Sequence, residues 1–113
     1  MPKYQMIVLS NAVAGREDEY NKWYTEVHVP DVLKVPGVVA AQRYKLAQSQ
    51  RGSKPSQWQY AAIYEIDAPD LKEVQAEIGR RSRTPAMVVS DAIGSDTWAY
   101  VFEPITEKVA AKR

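Results

Sequence analysis

The feature that most constrains this chain is a stripe of large side chains that runs into a proline. In the stretch from Glu17 to Gly37, EDEYNKWYTEVHVPDVLKVPG, residues Tyr20, Trp23, Tyr24, Val27 and His28 fall at i, i+3, i+4, i+7 and i+8. That is the spacing of one helical face turned toward a core. Glu17, Asp18 and Glu19 come just before it, where negative charge complements the helix dipole, so a helix is expected over residues 15–28. Pro30 has no N–H and a fixed φ, and is expected to end or kink that helix. Residues 31–35, held between two prolines, should then add a single helical turn before Pro36 and Gly37.

The flanking segments supply a sheet. Lys3–Ser10, KYQMIVLS, is a short apolar run closed by Asn11 and reads as a first strand. From 38 to 46 the residues alternate, with Val38, Ala40, Gln42, Tyr44 and Leu46 on one face and Val39, Ala41, Arg43 and Lys45 on the other. The polar stretch 48–57, QSQRGSKPSQ, is dense in turn formers and reads as a hairpin loop between antiparallel neighbours. Residues 58–67 alternate again, with Trp58, Tyr60, Ala62, Tyr64 and Ile66 opposite Ala61 and Ile63, so both faces of this strand need cover. Asp67-Ala68-Pro69-Asp70 opens a second helix with Leu71, Val74 and Ile78 as its buried stripe and Gly79 as its expected end. Arg80, Arg81 and Arg83 then read as a solvated helix terminus, with an anion site as the sharper alternative. Residues 84–94 do not separate helix from strand, and a short helix along the sheet is the expectation. A last strand over 96–103 puts Trp98, Tyr100 and Phe102 on one face, and the tail after Pro104 should fray or cross to a neighbour.

The order βαββαβ has one common architecture, a ferredoxin-like antiparallel sheet in an α+β fold with both helices on one face. At 113 residues the chain, 1–113, makes one domain, and its second sheet face would show aromatic and aliphatic side chains to water. A homodimer packed through that face removes the exposure. Fifteen basic residues nearly balance fourteen acidic ones, which gives no field for nucleic acid or an anionic membrane and favours small neutral partners. The N-terminal residues lack a signal-peptide pattern and no stretch approaches the roughly 20 apolar residues of a membrane span, so the expected location is cytoplasmic.

The chemistry-bearing residues are few. His28 is the one histidine, and its ordinary pKa makes it the simplest acid–base group at neutral pH; its bland role is a helix-end hydrogen bond. Asp31 could orient the imidazole or cap the turn that follows. Trp23, Tyr60, Tyr64 and Trp98 are candidates for lining a pocket, with core filling as their ordinary use. Arg43 could bind a substrate carboxylate or enolate, or pair with Glu65 across the sheet. With one histidine and no cysteine a closed zinc site is not expected, and no GxGxxG, GxxxxGK[ST] or nucleophile-elbow pattern is present.

The run NKWYTEVHVPDVLKVPGVVAAQRY followed by WQYAAIYEI resembles the EthD-like branch of the dimeric α+β barrel superfamily, with its aromatic-x-x-x-His-x-Pro and Pro-Gly signature. The resemblance spans most of the chain from Met6 to Phe102. It implies a cytoplasmic homodimer with an apolar pocket between helices and sheet. It also implies a cofactor-independent enzyme of aromatic catabolism, of isomerase, cyclase or lyase type. His28 would move a proton, and Tyr24 and other tyrosines would steady an enolate. A cofactor-free monooxygenase and a non-catalytic ligand-binding or stress-associated protein are the alternatives it leaves. Haem degradation does not fit, because that branch carries its axial histidine on the second helix, which here has none.

Overall fold

The computed structural model describes residues 3–113. Its order is β1 (Lys3–Ser10), α1 (Glu17–Trp23), a π-helical turn (Tyr24–His28), α2 (Val29–Leu33), β2 (Val38–Lys45), β3 (Tyr60–Asp67), α3 (Leu71–Arg81) and β4 (Trp98–Phe102). The four strands form one antiparallel sheet in the order β2-β3-β1-β4, the expected ferredoxin-like α+β arrangement.

Pro30 does not end the first helix. Instead α1, the π-helical turn and α2 run on as one rod to Leu33, and the Val29 N–H donates to the Tyr24 carbonyl five residues back. The wide turn lies immediately before Pro30 and makes room for a ring that would otherwise meet the carbonyl of Glu26. It also turns the side chains. A π-helical turn advances by fewer degrees per residue than the roughly 100° of an α-helix, so His28 swings toward the centre of the stripe and Val27 moves off it. Val27 is accordingly 40% exposed, whereas Tyr20, Trp23 and Tyr24 are buried.

The sheet register assigns the faces. Tyr60, Ala62, Tyr64 and Ile66 of β3 stand opposite Ser10, Val8, Met6 and Tyr4 of β1 and point toward the helices. In β2 a bulge between Val38 and Ala40 switches the alternation. Val38 therefore joins Ala41, Arg43 and Lys45 on the helix side, while Ala40, Gln42 and Tyr44 face the other way, so the expected single face running from Val38 to Leu46 is broken. The bare face carries Ile7 and Leu9, Ile63, and Trp98, Tyr100 and Phe102 of β4, as its pairing with β1 requires.

Asp70 caps α3 by accepting from the Glu73 N–H at 3.3 Å, and Val74 buries the expected stripe. The helix passes through Gly79 to Arg81, where ion pairs of Arg80 with Glu73 and Glu77, and of Arg81 with Glu77, reinforce the last turns. The segment 84–94 is irregular rather than helical. Hydroxyls take its backbone N–H groups locally, Thr84 from Ala86 and Ser90 from Ala92, and this favours tight turns over a helix. From it Met87 and Ala92 close the core formed by the α1 aromatics and the β3 side chains.

Candidate functional site

The helix stripe and the sheet meet in a nest of aromatic rings. Tyr20 is fully buried; its hydroxyl lies 2.6 Å from Ser10 Oγ, and its ring packs 5.0 Å from that of Tyr60. The Tyr64 hydroxyl donates to the Tyr24 hydroxyl over 3.5 Å, so the Tyr24 proton stays free for another acceptor. Burial pushes the Tyr24 phenol up to about 12 and raises Tyr20 and Tyr64 as well, so all three remain protonated near neutrality.

His28 sits at one end of this nest. Its imidazole stacks on Trp23 with centroids 4.8 Å apart and meets Tyr24 edge-on at 4.9 Å. Trp23 is itself fixed by donating from Nε1 to the Val88 carbonyl at 3.0 Å. Burial lowers the His28 pKa to about 4, opposed by the charge of Asp31 and assisted by that of Arg43. The ring is therefore neutral at pH 7. Its Nδ1 is buried and has no hydrogen-bond partner.

Arg43 also packs on Tyr24. Its guanidinium sits 4.5 Å from the Tyr24 ring centroid, 5.4 Å from Tyr20 and 5.8 Å from Tyr60, so three phenol faces attract it. It donates to Thr25 Oγ1 and Asn21 Oδ1, each at 2.9 Å. Asn21 in turn donates from Nδ2 to the Tyr60 hydroxyl at 3.2 Å. This group borders an open cleft of about 280 Å³ lined by Asn21, Arg43, Tyr44, Lys45 and Tyr60. A wider cleft of about 450 Å³ shares Lys45 and Tyr60 and reaches Glu17 and Asn11. Neither is lined by His28. Among the described residues no three histidine or carboxylate side chains gather as a metal site, and no helix is long and apolar enough to cross a membrane.

No protein-family model matches the chain, and no curated protein does. Solved structures do match. An ethyl tert-butyl ether D (EthD) family protein from Bacillus halodurans aligns with a TM-score of 0.64 at 17% identity, over 91% of this chain and 99% of that one. An EthD-like protein from Ralstonia eutropha gives 0.64 at 12%, over 96% of each chain. The chain is EthD-like in fold. A DABB family protein with a ferredoxin-like fold from Mesorhizobium loti, at 0.59 and 14% identity over 94% of this chain and 100% of that one, has the same architecture.

On this EthD-like frame the residues singled out from the sequence separate. His28, Tyr24, Trp23, Tyr64, Tyr60 and Arg43 converge between helix and sheet. Trp98 does not join them; it stands on the bare face, its ring 4.6 Å from Tyr100. Asp31 has no hydrogen bond to His28 and instead approaches Lys34 at 3.9 Å, acting on the imidazole through charge. Arg43 does not pair with Glu65, because the bulge in β2 puts the two on opposite faces. The apolar pocket expected between helices and sheet is filled by Tyr20, Tyr24 and Tyr64. Sequence reasoning passed over Asn21 and Thr25, whose i, i+4 spacing beside the stripe was the available signal, and Lys45, two residues beyond Arg43 on the same strand face.

Proposed function

We propose that the protein is a homodimeric, cofactor-independent enzyme of isomerase, cyclase or lyase type, acting on a hydrophobic cyclic or aromatic compound with His28 as its acid–base group. The state of His28 carries this reading: a neutral imidazole packed between aromatic rings with Nδ1 bonded to nothing. Leaving a buried polar nitrogen unpaired costs roughly 1–3 kcal/mol, and groups kept at such a cost concentrate where a ligand completes them.

The neighbouring groups suit carbon-acid chemistry. Loss of a proton next to a carbonyl leaves an enolate; the neutral imidazole accepts the proton, and the negative oxygen needs donors. Tyr24 has a free proton to offer, and Arg43, over its ring face, adds positive charge. A weakly basic imidazole gains basicity as the oxyanion forms beside it, since an opposite charge favours its protonated form. Tyr24 packs against both His28 and Arg43, and so joins the imidazole to the positive charge.

The test is catalysed deuterium exchange. Cyclic enones, lactones and hydroxylated aromatic ketones are incubated with the protein in D2O and acidic C–H positions followed by NMR. At least one compound should exchange faster, and His28→Gln should remove roughly a hundredfold or more of that rate while the fold persists. An unchanged rate removes the acid–base role. Binding without exchange identifies a ligand-binding protein, the competing reading, which the filled space around His28 favours. Oxygen uptake during turnover marks a monooxygenase.

A further inference from the structure

We infer that the cleft where α1 meets β2 and β3 is a carboxylate site, made for a small hydroxylated aromatic acid held by Arg43 and Lys45. The inference rests on the reading above that the ligand is a ring compound, and adds to it a negative charge and the place where that charge binds.

The lining is short of acceptors. Arg43 and Lys45 occupy alternate positions of β2, the edge strand, and both border the cleft with Tyr60. Neither has a carboxylate ion-pair partner among the described residues, a state they share with most basic side chains of this chain, but Arg43 differs from those in being held over three tyrosine rings beside the cleft. Arg43 spends its hydrogen bonds on neutral oxygens of Asn21 and Thr25, which fix the guanidinium without neutralising it. The Tyr60 oxygen accepts from Asn21, which leaves its own proton to donate. Two cations and a phenol proton thus border an open cleft of about 280 Å³, just below the roughly 300–1,000 Å³ usual for ligand sites and enough for one substituted ring. One Nη2–H of Arg43 remains uncommitted and can give one carboxylate oxygen a charge-assisted hydrogen bond, which leaves the other oxygen to Lys45. The one acid that lines the adjoining cleft is Glu17. It disfavours a second negative charge there and can accept from a ligand hydroxyl, which selects a monoanionic hydroxy acid.

Two probes with one ring and different charge test this. 4-Hydroxybenzoate and 4-hydroxybenzamide are titrated into the full chain by calorimetry, with chemical shifts in α1 and β2 to locate the site. The acid should bind once per chain and roughly tenfold tighter than the amide. Lys45→Gln, at an exposed position that the fold does not need, should erase most of that preference, and Lys45→Arg should restore it. Equal affinity for the two probes, no binding of the acid at millimolar concentration, or indifference to Lys45→Gln overturns the inference. Because the readout does not pass through His28, the outcomes separate. A His28→Gln protein that cannot catalyse exchange but still prefers the acid supports the site. Loss of the preference with His28-dependent exchange intact refutes the site and spares the catalytic reading.

Discussion

At the scale of single residues, His28 is an imidazole that the fold holds in its neutral form, and this makes a sharp prediction about pH. Its pKa in the folded chain, about 4, lies below the ordinary value of 6.5 that the unfolded chain retains. Between those two values the unfolded state carries a proton that the folded state refuses, so stability is full above pH 6.5 and falls as pH drops toward 4. The loss at the lower limit is about 3 kcal/mol. Urea unfolding between pH 7.5 and 4 should show this slope, and His28→Gln should flatten it, whatever that variant does to stability at pH 7.5. An imidazole NMR titration near pH 6.5 would contradict the prediction directly. Replacing Asp31 by Asn, which removes the nearby negative charge that raises the His28 pKa, should lower it further.

At the scale of elements, Gly37 decides how the first helix rod hands over to β2. Its φ is +99°, and a Cβ placed there would stand 2.8 Å from Val74 Cγ2 and 3.1 Å from Ala68 Cβ, two buried neighbours. Gly37→Ala should therefore destabilise by about 2–4 kcal/mol, combining backbone strain with an overpacked contact. Gly79 offers the contrast. It lies inside α3, where an added methyl would meet nothing within 4 Å, and Gly79→Ala should stabilise by about 0.5–1 kcal/mol. Thermal or chemical denaturation of the two single variants checks both signs. The same elements show what a sequence can reveal. The strand Lys3–Ser10 was legible to the residue because its apolar run ends in a residue that favours turns. The π-helical turn was not, because Pro30 announces a disturbance without saying whether the helix stops or widens. The bulge at Val39 was equally hidden: alternation by twos persists across it while the face changes, and that is why Arg43 was matched with Glu65 rather than with the tyrosines of the nest. The hydrogen-bonding partners Asn21 and Thr25 carried only the weak signal of i, i+4 spacing, since polar residues beside an apolar stripe are ordinarily just its solvated edge.

At the scale of the molecule, the chain is a slab 20 Å thick in its short dimension, one layer of helices on one layer of sheet. Its radius of gyration, 15.4 Å, exceeds the roughly 13 Å of a compact domain of this length. On the bare sheet face Tyr100 is 60% exposed and Phe102 50%, beside Trp98, and the clustering of large rings is a feature of interfaces rather than of free surface. A second copy meeting this face would bury both sets of rings about a twofold axis and give the closed barrel. The full chain should then sediment at twice its 12.8 kDa at micromolar concentration. In a twofold interface each substitution acts twice, so Tyr100→Asp, which leaves a charge among the partner's rings, should cost about 4 kcal/mol in all and weaken the dimer on the order of a thousandfold. Val88, 53% exposed but outside the sheet, supplies the control: Val88→Asp should leave the assembly intact. Wild-type chain that remains monomeric at tens of micromolar would show that the rings of β4 have some other cover.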